Sequence, residues 1–461
     1  MSTEPRRALD SIREELAAVL HGGLLLRSDP VYDEHRHVWN GAIDRHPLAI
    51  ARCLDAEDVA AVVKIAARVR LPMTVRGGGH NVAGLAVRDD ALMLDLGAMN
   101  AVEVDPSARV ARVEGGALWR DVDATTQPHG LATTGGFVST TGVGGYTLGG
   151  GVGWLMRRCG LAIDNLLEAD VVLPDGRCVV VNSDQHADLF WALRGGAGGF
   201  GVVTRFVFRL HEVGNVLAGA VFHPLSAAPE LLKTFRAFAL NAPNECTLMP
   251  AFITAPPAPF LPAHVHGTRV IALAWCWSGD PARGEQVLSP LTGIGQPLGR
   301  VGGLMPYAAW QPTFDSHAPA GDHYYWTTSQ FDALDDALIE TLVPLAAAPP
   351  DPLCEVHVHH LGGMVASIAN SATAFSSRDV PFFINVIGHT ADAARFGAIR
   401  EWTRAVRAAL APFARSGVQP NFAGEASDVA SRSHEIATQT KLAALRAHYD
   451  PHGLLAPVRS G

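Results

Sequence analysis

Between Leu131 and Asn165 the chain reads LATTGGFVSTTGVGGYTLGGGVGWLMRRCGLAIDN, with glycine at 135, 136, 142, 144, 145, 149, 150, 151, 153 and 160. No other stretch restricts the possible folds so strongly. Each glycine costs backbone entropy in a regular element and returns no side-chain burial, so the run is predicted to be neither a regular helix nor a packed strand. Glycine at this density suits a place where a second backbone or a ligand comes very close. Thr134, Ser139, Thr140 and Thr141 set hydroxyls among the glycines, suited to pyrophosphate or ribose. Trp154 and Leu155 lie inside the run and argue against a plain surface loop.

A second cluster, VRGGGHNVAG, spans Val75 to Gly84. Pro72 to Val75 read as a short strand, after which Gly77, Gly78 and Gly79 can present consecutive N–H groups to an anion. Arg76 adds a fixed positive charge suited to phosphate. A phosphate cradle alone has no use for the imidazole of His80, which otherwise reads as a turn residue. Further on, Gly196 to Gly201 spells GxGxxG. That fingerprint needs a strand before it and a helix after it. Here a helix-like DLFWALR precedes and a β-rich VVTRFVFRL follows, so the match is accidental as a dinucleotide fingerprint and the segment reads as a loop.

The chain has 461 residues, 48% hydrophobic and 18% charged, with a net charge of −9. That length predicts more than one core. The negative balance gives no nucleic-acid footprint, and no apolar run reaches membrane-spanning length. The N-terminal segment reads as an amphipathic helix over 8–21 without a signal-peptide core. The six cysteines show no CxxC spacing, which indicates neither a disulfide framework nor a zinc knuckle and suggests a reducing cytoplasm. Along the chain, Pro47 to Ala51 reads as a strand and Asp55 to Arg70 as a helix capped by Asp55. Ala91–Leu96 and Ala108–Glu114 read as strands around the turn VDPSAR, with a helix over 116–129 and a hairpin over 170–181. After His211, Ala/Pro-rich connectors alternate with strands and helices, which predicts an antiparallel sheet with helices on one face.

The loop RGGGHN followed by the strand ALMLDL resembles the flavin-attachment loop of the vanillyl-alcohol-oxidase superfamily. Within it the chain is similar to the berberine-bridge-enzyme-like and 6-hydroxy-D-nicotine-oxidase-like oxidases. The segments TTGVGG, GGGVGWL, GLAIDN and DLFWALRGGAGGFGVV keep that family's order, and the likeness is densest over 70–210. The resemblance implies an α+β fold. It has a two-subdomain PCMH-type FAD-binding domain over 1–211 and a substrate domain over 212–415, whose antiparallel sheet is covered by helices. Residues 416–461 would return to the FAD-binding domain. FAD is the implied cofactor, with contacts expected from Arg76, Gly77, Gly78, Gly79, His80, Asn81 and Gly84. Further contacts are expected from Ser139, Thr140, Thr141, Gly142, Gly145, Gly149, Gly150, Gly151, Gly153, Trp154, Asp164 and Asn165. Gly198, Gly201, Val203 and Asn421 complete the set, with the 196–201 loop taking the adenine end. His80 would bond to the flavin 8α-methyl. Doubly attached relatives bond a cysteine as well; the aligned position here is Val138, so a single bond through His80 is expected. Cys159 lies too late and reads as a small buried hydrophobe.

Glu355 to His360, EVHVHH, alternates so that His357 and His359 share one strand face and Val356 and Val358 the other. Two imidazoles on one face can act as acid and base near neutral pH, or can simply be part-buried polar strand residues. The family's Tyr-x-Asn-aromatic element reads Gln419-Pro420-Asn421-Phe422, and the position of a Glu base in berberine bridge enzyme reads Ile384. Either His359 or His357 serves as base, with Asn421 beside flavin or substrate, or the substrate's own proton is acidic enough. Tyr324, Tyr325, Trp326 and Phe383 can form aromatic walls or core. The expected activity is hydride removal from a small organic substrate with electrons passed to O2. Two other readings stand beside it. One is a metal-dependent hydrolase using the HxH pairs His264/His266 and His357/His359; the other is a flavoprotein without turnover, suggested by Gln419 and Ile384.

Overall fold

A computed structural model describes residues 3–426 and 435–455. Helix Ala56–Arg68 begins where the sequence places its cap: the Asp55 carboxylate accepts a hydrogen bond from the Asp58 N–H. The helix connects strands Ala49–Arg52 and Met73–Arg76, which flank Leu92–Asp95 in parallel; Leu24–Leu26 adds an antiparallel edge. Val59, Val62, Val63 and Ala66 recur at helical spacing and are fully buried against this sheet.

A second, five-stranded antiparallel sheet runs in the order Val102–Asp105, Val110–Glu114, Val202–Arg209, Leu166–Val172, Cys178–Asn182. Here one expectation is corrected. The partner of Val110–Glu114 across the DPSA turn is Val102–Asp105, whereas Leu92–Asp95 belongs to the first sheet. The alternating VEVD was too short and too polar to register beside the apolar ALMLDL. The glycine run also departs from its reading. Val143–Leu148, Met156–Cys159 and Ala162–Asn165 are short helices. Val143, Tyr146 and Thr147 are buried in the first of them, so tertiary packing overrides glycine's low helix propensity.

The third element is a seven-stranded, wholly antiparallel sheet in the order Gly299–Pro306, Asn215–Pro224, Arg269–Trp277, Cys246–Thr254, Glu355–His360, Phe382–Thr390, His323–Phe331. Helices Ala228–Ala239, Asp336–Ala347 and Phe396–Leu410 cover one face. Leu231, Phe235, Leu338, Leu342 and Val406 pack there on Val356, Val358, Ile384 and Val386. The opposite face carries Ala218, Ala220, Ala272 and Ala274, small enough to let Trp154 and Trp310 approach. Helix Ile436–Tyr449 buries Leu442 beside Ala187–Leu193, and the Met73 N–H donates to the Leu454 carbonyl. The chain end thus returns to the first two sheets; positions 427–434 and 456–461 of the expected 416–461 segment lie outside the described residues. No described helix is long and apolar enough to cross a membrane.

Candidate functional site

The two glycine loops cross back to back. A Cβ on Gly142 would lie 2.3 Å from the Gly78 nitrogen, and one on Gly78 would lie 2.5 Å from the Gly142 nitrogen. Only paired glycines allow that approach. Around the crossing lies a cavity of about 680 Å³, within the range of small-molecule and cofactor sites. Gly77, Gly78, Gly79, His80 and Asn81 line it from the first loop, and Thr141, Gly142, Gly145 and Gly149 from the second. Gly198, Gly201 and Val203 line one end, and Asn421 closes the other with Phe137, Trp326 and Phe422. The backbone N–H groups of Gly77 to Asn81 make no hydrogen bond to the described residues, leaving a run of donors for an anion. A Cβ on Gly145 or Gly198 would meet nothing within 4 Å, so both present bare backbone to the cavity.

His80 is the reactive side chain in this wall. Burial pushes its imidazole down to about 4, so it is neutral and nucleophilic at neutral pH. Its ring stacks on Trp39 at 4.2 Å and 16°, and its Nε2 lies 3.4 Å from Thr140 Oγ1. Beyond His80 a second, outer cleft of about 1150 Å³ opens among Arg36, Trp39, Thr140, Asp315 and His323.

Other residues nominated from the sequence stand behind the wall. Arg76 lines the outer cleft rather than this cavity; its Nη1 donates to the His35 carbonyl at 2.7 Å and pairs with Asp95 at 3.4 Å. Gly84 lies against Ile43, Gly150 against Phe375 and Gly153 against the Gly135 carbonyl. Ser139 binds Asp315 through its backbone N–H and hydroxyl, and Thr140 faces the outer cleft. The Gly151 N–H donates to Asn421 Oδ1, and Trp154 packs on Phe137 and Trp310. Asp164 forms a bidentate pair with Arg378 at 2.6 and 3.0 Å. Asn165 donates to the Cys159 and Leu161 carbonyls. Apart from Thr140 and the unpartnered Nε of Arg76, neighbouring chain has taken the group or covered it. Conversely Arg45, Arg88, Tyr146, Gln439 and Arg446 line the cavity without any local signal. Val138 lines it too, whereas Cys159 is buried elsewhere and burial pushes its thiol up to about 11.

His357 and His359 share one face of the seven-stranded sheet but not the cavity wall. His359 is stacked on Phe383 at 4.2 Å and 6°, with Phe137 and Phe422 rings 5.4 and 5.7 Å away on the cavity side. Its Nε2 has no partner, and burial, reinforced by the charge of His357, pushes its imidazole well below the usual range. His357 Nε2 is 2.7 Å from Glu355 Oε2, while Glu355 Oε1 is 2.8 Å from His317 Nδ1. Burial alone would push the Glu355 carboxyl up. Hydrogen bonds from His317 and His357 more than reverse this and hold it well below its usual range. The same bond raises His317.

Asn421 spends both ends of its side chain on the glycine run, donating to the Tyr146 carbonyl and accepting from Gly151, each at 2.9 Å. Gln419 is buried with its side-chain amide unpaired. Ile384 points into the helix-covered core beside Val358, while its neighbour Asn385 is the cross-strand partner of His357. Trp326 is the one member of the proposed aromatic wall that reaches the cavity. Neither HxH pair belongs to a three-ligand cluster among the described residues; His266 instead faces the Ala258 and Leu261 carbonyls.

Comparison with known proteins agrees with this geometry. A family model described as an FAD binding domain matches residues 47–182. A FAD-linked oxidoreductase of Dictyostelium discoideum is 29% identical over 382 residues, covering 81% of this chain and 80% of the relative. The (R)-6-hydroxynicotine oxidase of Paenarthrobacter nicotinovorans is 37% identical over 203 residues, covering 44% of each. In fold, BBE-like 1 of Physcomitrella patens superposes with a TM-score of 0.86 at 20% identity, over 96% of this chain and 97% of that one. The 6-hydroxy-D-nicotine oxidase of Arthrobacter nicotinovorans superposes with a TM-score of 0.82 at 23% identity, over 95% and 96%. With its glycine-walled cavity and row of free amides, the chain carries an FAD binding domain over 47–182 and is similar over four-fifths of its length to an FAD-linked oxidoreductase.

Proposed function

We propose that the protein is an oxidase that removes a hydride from a small organic substrate and passes the electrons to dioxygen, with FAD bonded to His80. The observation that carries the covalent part is the neutral, stacked imidazole of His80 in the cavity wall. Val138 in the lining, with Cys159 buried away from it, supports a single bond. The free amides of Gly77 to Asn81 suit the pyrophosphate, and the bare backbones of Gly145 and Gly198 suit a flat group pressed against them. The flavin, when bound, supplies the two-electron chemistry that no side chain here can perform.

The chain's own residues orient and exclude. Phe137, Trp326 and Phe422 form the apolar end of the cavity nearest the seven-stranded sheet, where a small substrate would meet the cofactor. A proton leaving the substrate has two destinations. His359 takes it if the ring of Phe137 or Phe422 turns aside, with His357 beside it linked through Glu355 to the half-exposed His317. Otherwise the substrate is acidic enough to need no base, as the unpaired Gln419 in place of a tyrosine suggests. The division 1–211, 212–415 and 416–461 is supported by the composition of the three larger sheets, and the six unpaired cysteines support a reducing cytoplasm.

The test is acid precipitation. Wild-type protein is expected to keep its yellow colour with the polypeptide, and His80→Ala to fold but release its flavin into the supernatant. Colour that stays with the precipitated variant removes His80 from the proposal. A substrate screen that follows flavin bleaching without oxygen separates turnover from mere binding.

A further inference from the structure

The stack on His80 does not end at Trp39. The Trp39 ring lies on Tyr324 at 3.9 Å and 21°, and Tyr324 lies on His389 at 4.4 Å and 22°. Four rings therefore run from the cavity wall to the seven-stranded sheet, where Tyr324 and His389 are cross-strand partners. Each inner ring is pinned by polar bonds. Trp39 Nε1 donates to the Ala318 carbonyl at 2.9 Å, and its backbone N–H donates to the Gly79 carbonyl at 3.1 Å. The Tyr324 hydroxyl donates to the Pro319 carbonyl at 2.6 Å, and His389 Nε2 lies 2.8 Å from Asp322 Oδ2. Asn40 ties the two sides together, bonding the Val82 carbonyl at 2.7 Å and the Tyr324 carbonyl at 2.9 Å. Among the described residues His80 itself has two side-chain neighbours of this kind, the Trp39 face and Thr140 Oγ1.

We propose that Trp39 and Thr140 are positioning residues that ready His80 for bonding to the flavin, Trp39 acting as the inner ring of a stack anchored in the substrate-side sheet. The inference rests on the reading of His80 as the flavin anchor. An imidazole reacts through a lone pair in its ring plane, so a nucleophilic histidine must have that plane held toward its target. Trp39 holds the plane, because a face-to-face contact blocks rotation about the bonds that would swing the ring into the outer cleft. Thr140 Oγ1 contacts one nitrogen and so distinguishes it from the other. Net, the bonding step forms one N–C bond and breaks one N–H bond of the imidazole and one C–H bond of the flavin methyl. Two electrons and two protons leave to dioxygen, the oxidant of the proposed activity. Because Tyr324 and His389 belong to the seven-stranded sheet, the anchor is in register only when that sheet is docked on the glycine loops.

The experiment measures acid-stable flavin as a fraction of all flavin bound, in wild type, Trp39→Leu, Trp39→Phe and Thr140→Val. Total flavin is read from the absorbance of the native protein, and folding from circular dichroism. Misplacing a reacting group by about 1 Å can slow a step about a hundredfold, so Trp39→Leu and Thr140→Val are expected to lower the acid-stable fraction about tenfold while still binding flavin. Trp39→Phe, which keeps a stacking face, is expected to restore most of it. Acid-stable fractions equal to wild type in both Trp39→Leu and Thr140→Val overturn the proposal. If Trp39→Leu does not fold, the near-isosteric Thr140→Val decides alone. Loss of acid-stable flavin in His80→Ala with no loss in the other variants leaves the anchor standing and removes its positioning. Wild type without acid-stable flavin overturns both.

Discussion

Gly142→Ala tests the crossing of the two glycine loops, on which the whole cavity depends. Gly142 has φ −68° and ψ 135°, a conformation alanine adopts freely, so backbone strain does not enter. The added methyl would sit 2.3 Å from the Gly78 nitrogen and 2.7 Å from its Cα, where ordinary contact begins near 3.4 Å. The loops must therefore part by about 1 Å, and overpacking of this kind costs about 1–3 kcal/mol. If the parting is expressed in the cofactor site, FAD affinity falls between about fivefold and about 150-fold, at about 1.4 kcal/mol per factor of ten. The affinity is measured by flavin fluorescence in a His80→Ala background, where the cofactor exchanges, and stability by thermal melting of the apoprotein. Two controls separate the causes. Gly397→Ala, at the start of Phe396–Leu410 with open space around it, is expected to be neutral or stabilising by up to about 1 kcal/mol. Gly145→Ala is expected to leave the apoprotein unaffected yet weaken flavin binding, because its methyl enters the cavity. Gly142→Ala with the melting temperature and FAD affinity of Gly397→Ala would refute the account of the crossing.

Arg378 and Asp164 form a pair exposed by only 1% and 4%, so Arg378→Met strands a buried carboxylate and is expected to destabilise by about 3–5 kcal/mol in a denaturant titration. Arg446 donates to the Gly196 carbonyl at 2.8 Å and to that of Gly198 at 3.4 Å, and so holds the loop at one end of the cavity. Losing these charged hydrogen bonds in Arg446→Ala, again with His80→Ala, is expected to weaken FAD binding about tenfold; unchanged affinity excludes the loop from binding. Glu355 and His317 predict opposite pH arms. Glu355 is held below its ordinary 4.5, so its contribution is complete above that value and is lost as pH falls through the lowered one. His317 is held above its ordinary 6.5, so its contribution is complete below 6.5 and is lost as pH rises through the raised value. Glu355→Gln removes both arms. The melting-temperature gap between wild type and variant is therefore expected to be widest in the mildly acid range and to narrow on either side. A gap that does not vary with pH would dismiss the coupling.

Much of the architecture was legible from local pattern. Asp55 marks where its helix begins and the spacing of Val59, Val62 and Val63 states its apolar side, while EVHVHH puts Val356 and Val358 in the helix-covered core although all six of its residues are buried. The glycine clusters announced a close approach because no other residue gains from glycine there, and the loops do cross at Gly78 and Gly142. What the sequence could not express is which groups the approach would leave free. Arg76, Ser139, Asp164 and Asn165 have the chemistry of cofactor ligands, yet Asp95, Asp315, Arg378 and nearby carbonyls have taken them. Arg446 and Arg45 look like surface charges in the sequence and reach the cavity only because distant segments fold over it. Ile384 faces the helix-covered core with Val358, a side that the alternation of a strand fixes only once its neighbours are known. Periodicity within a segment is a local property and survives being read alone. Partnership between segments, such as Trp39 on Tyr324 or Glu355 between His317 and His357, is settled only when packing brings together parts of the chain that carry no record of one another.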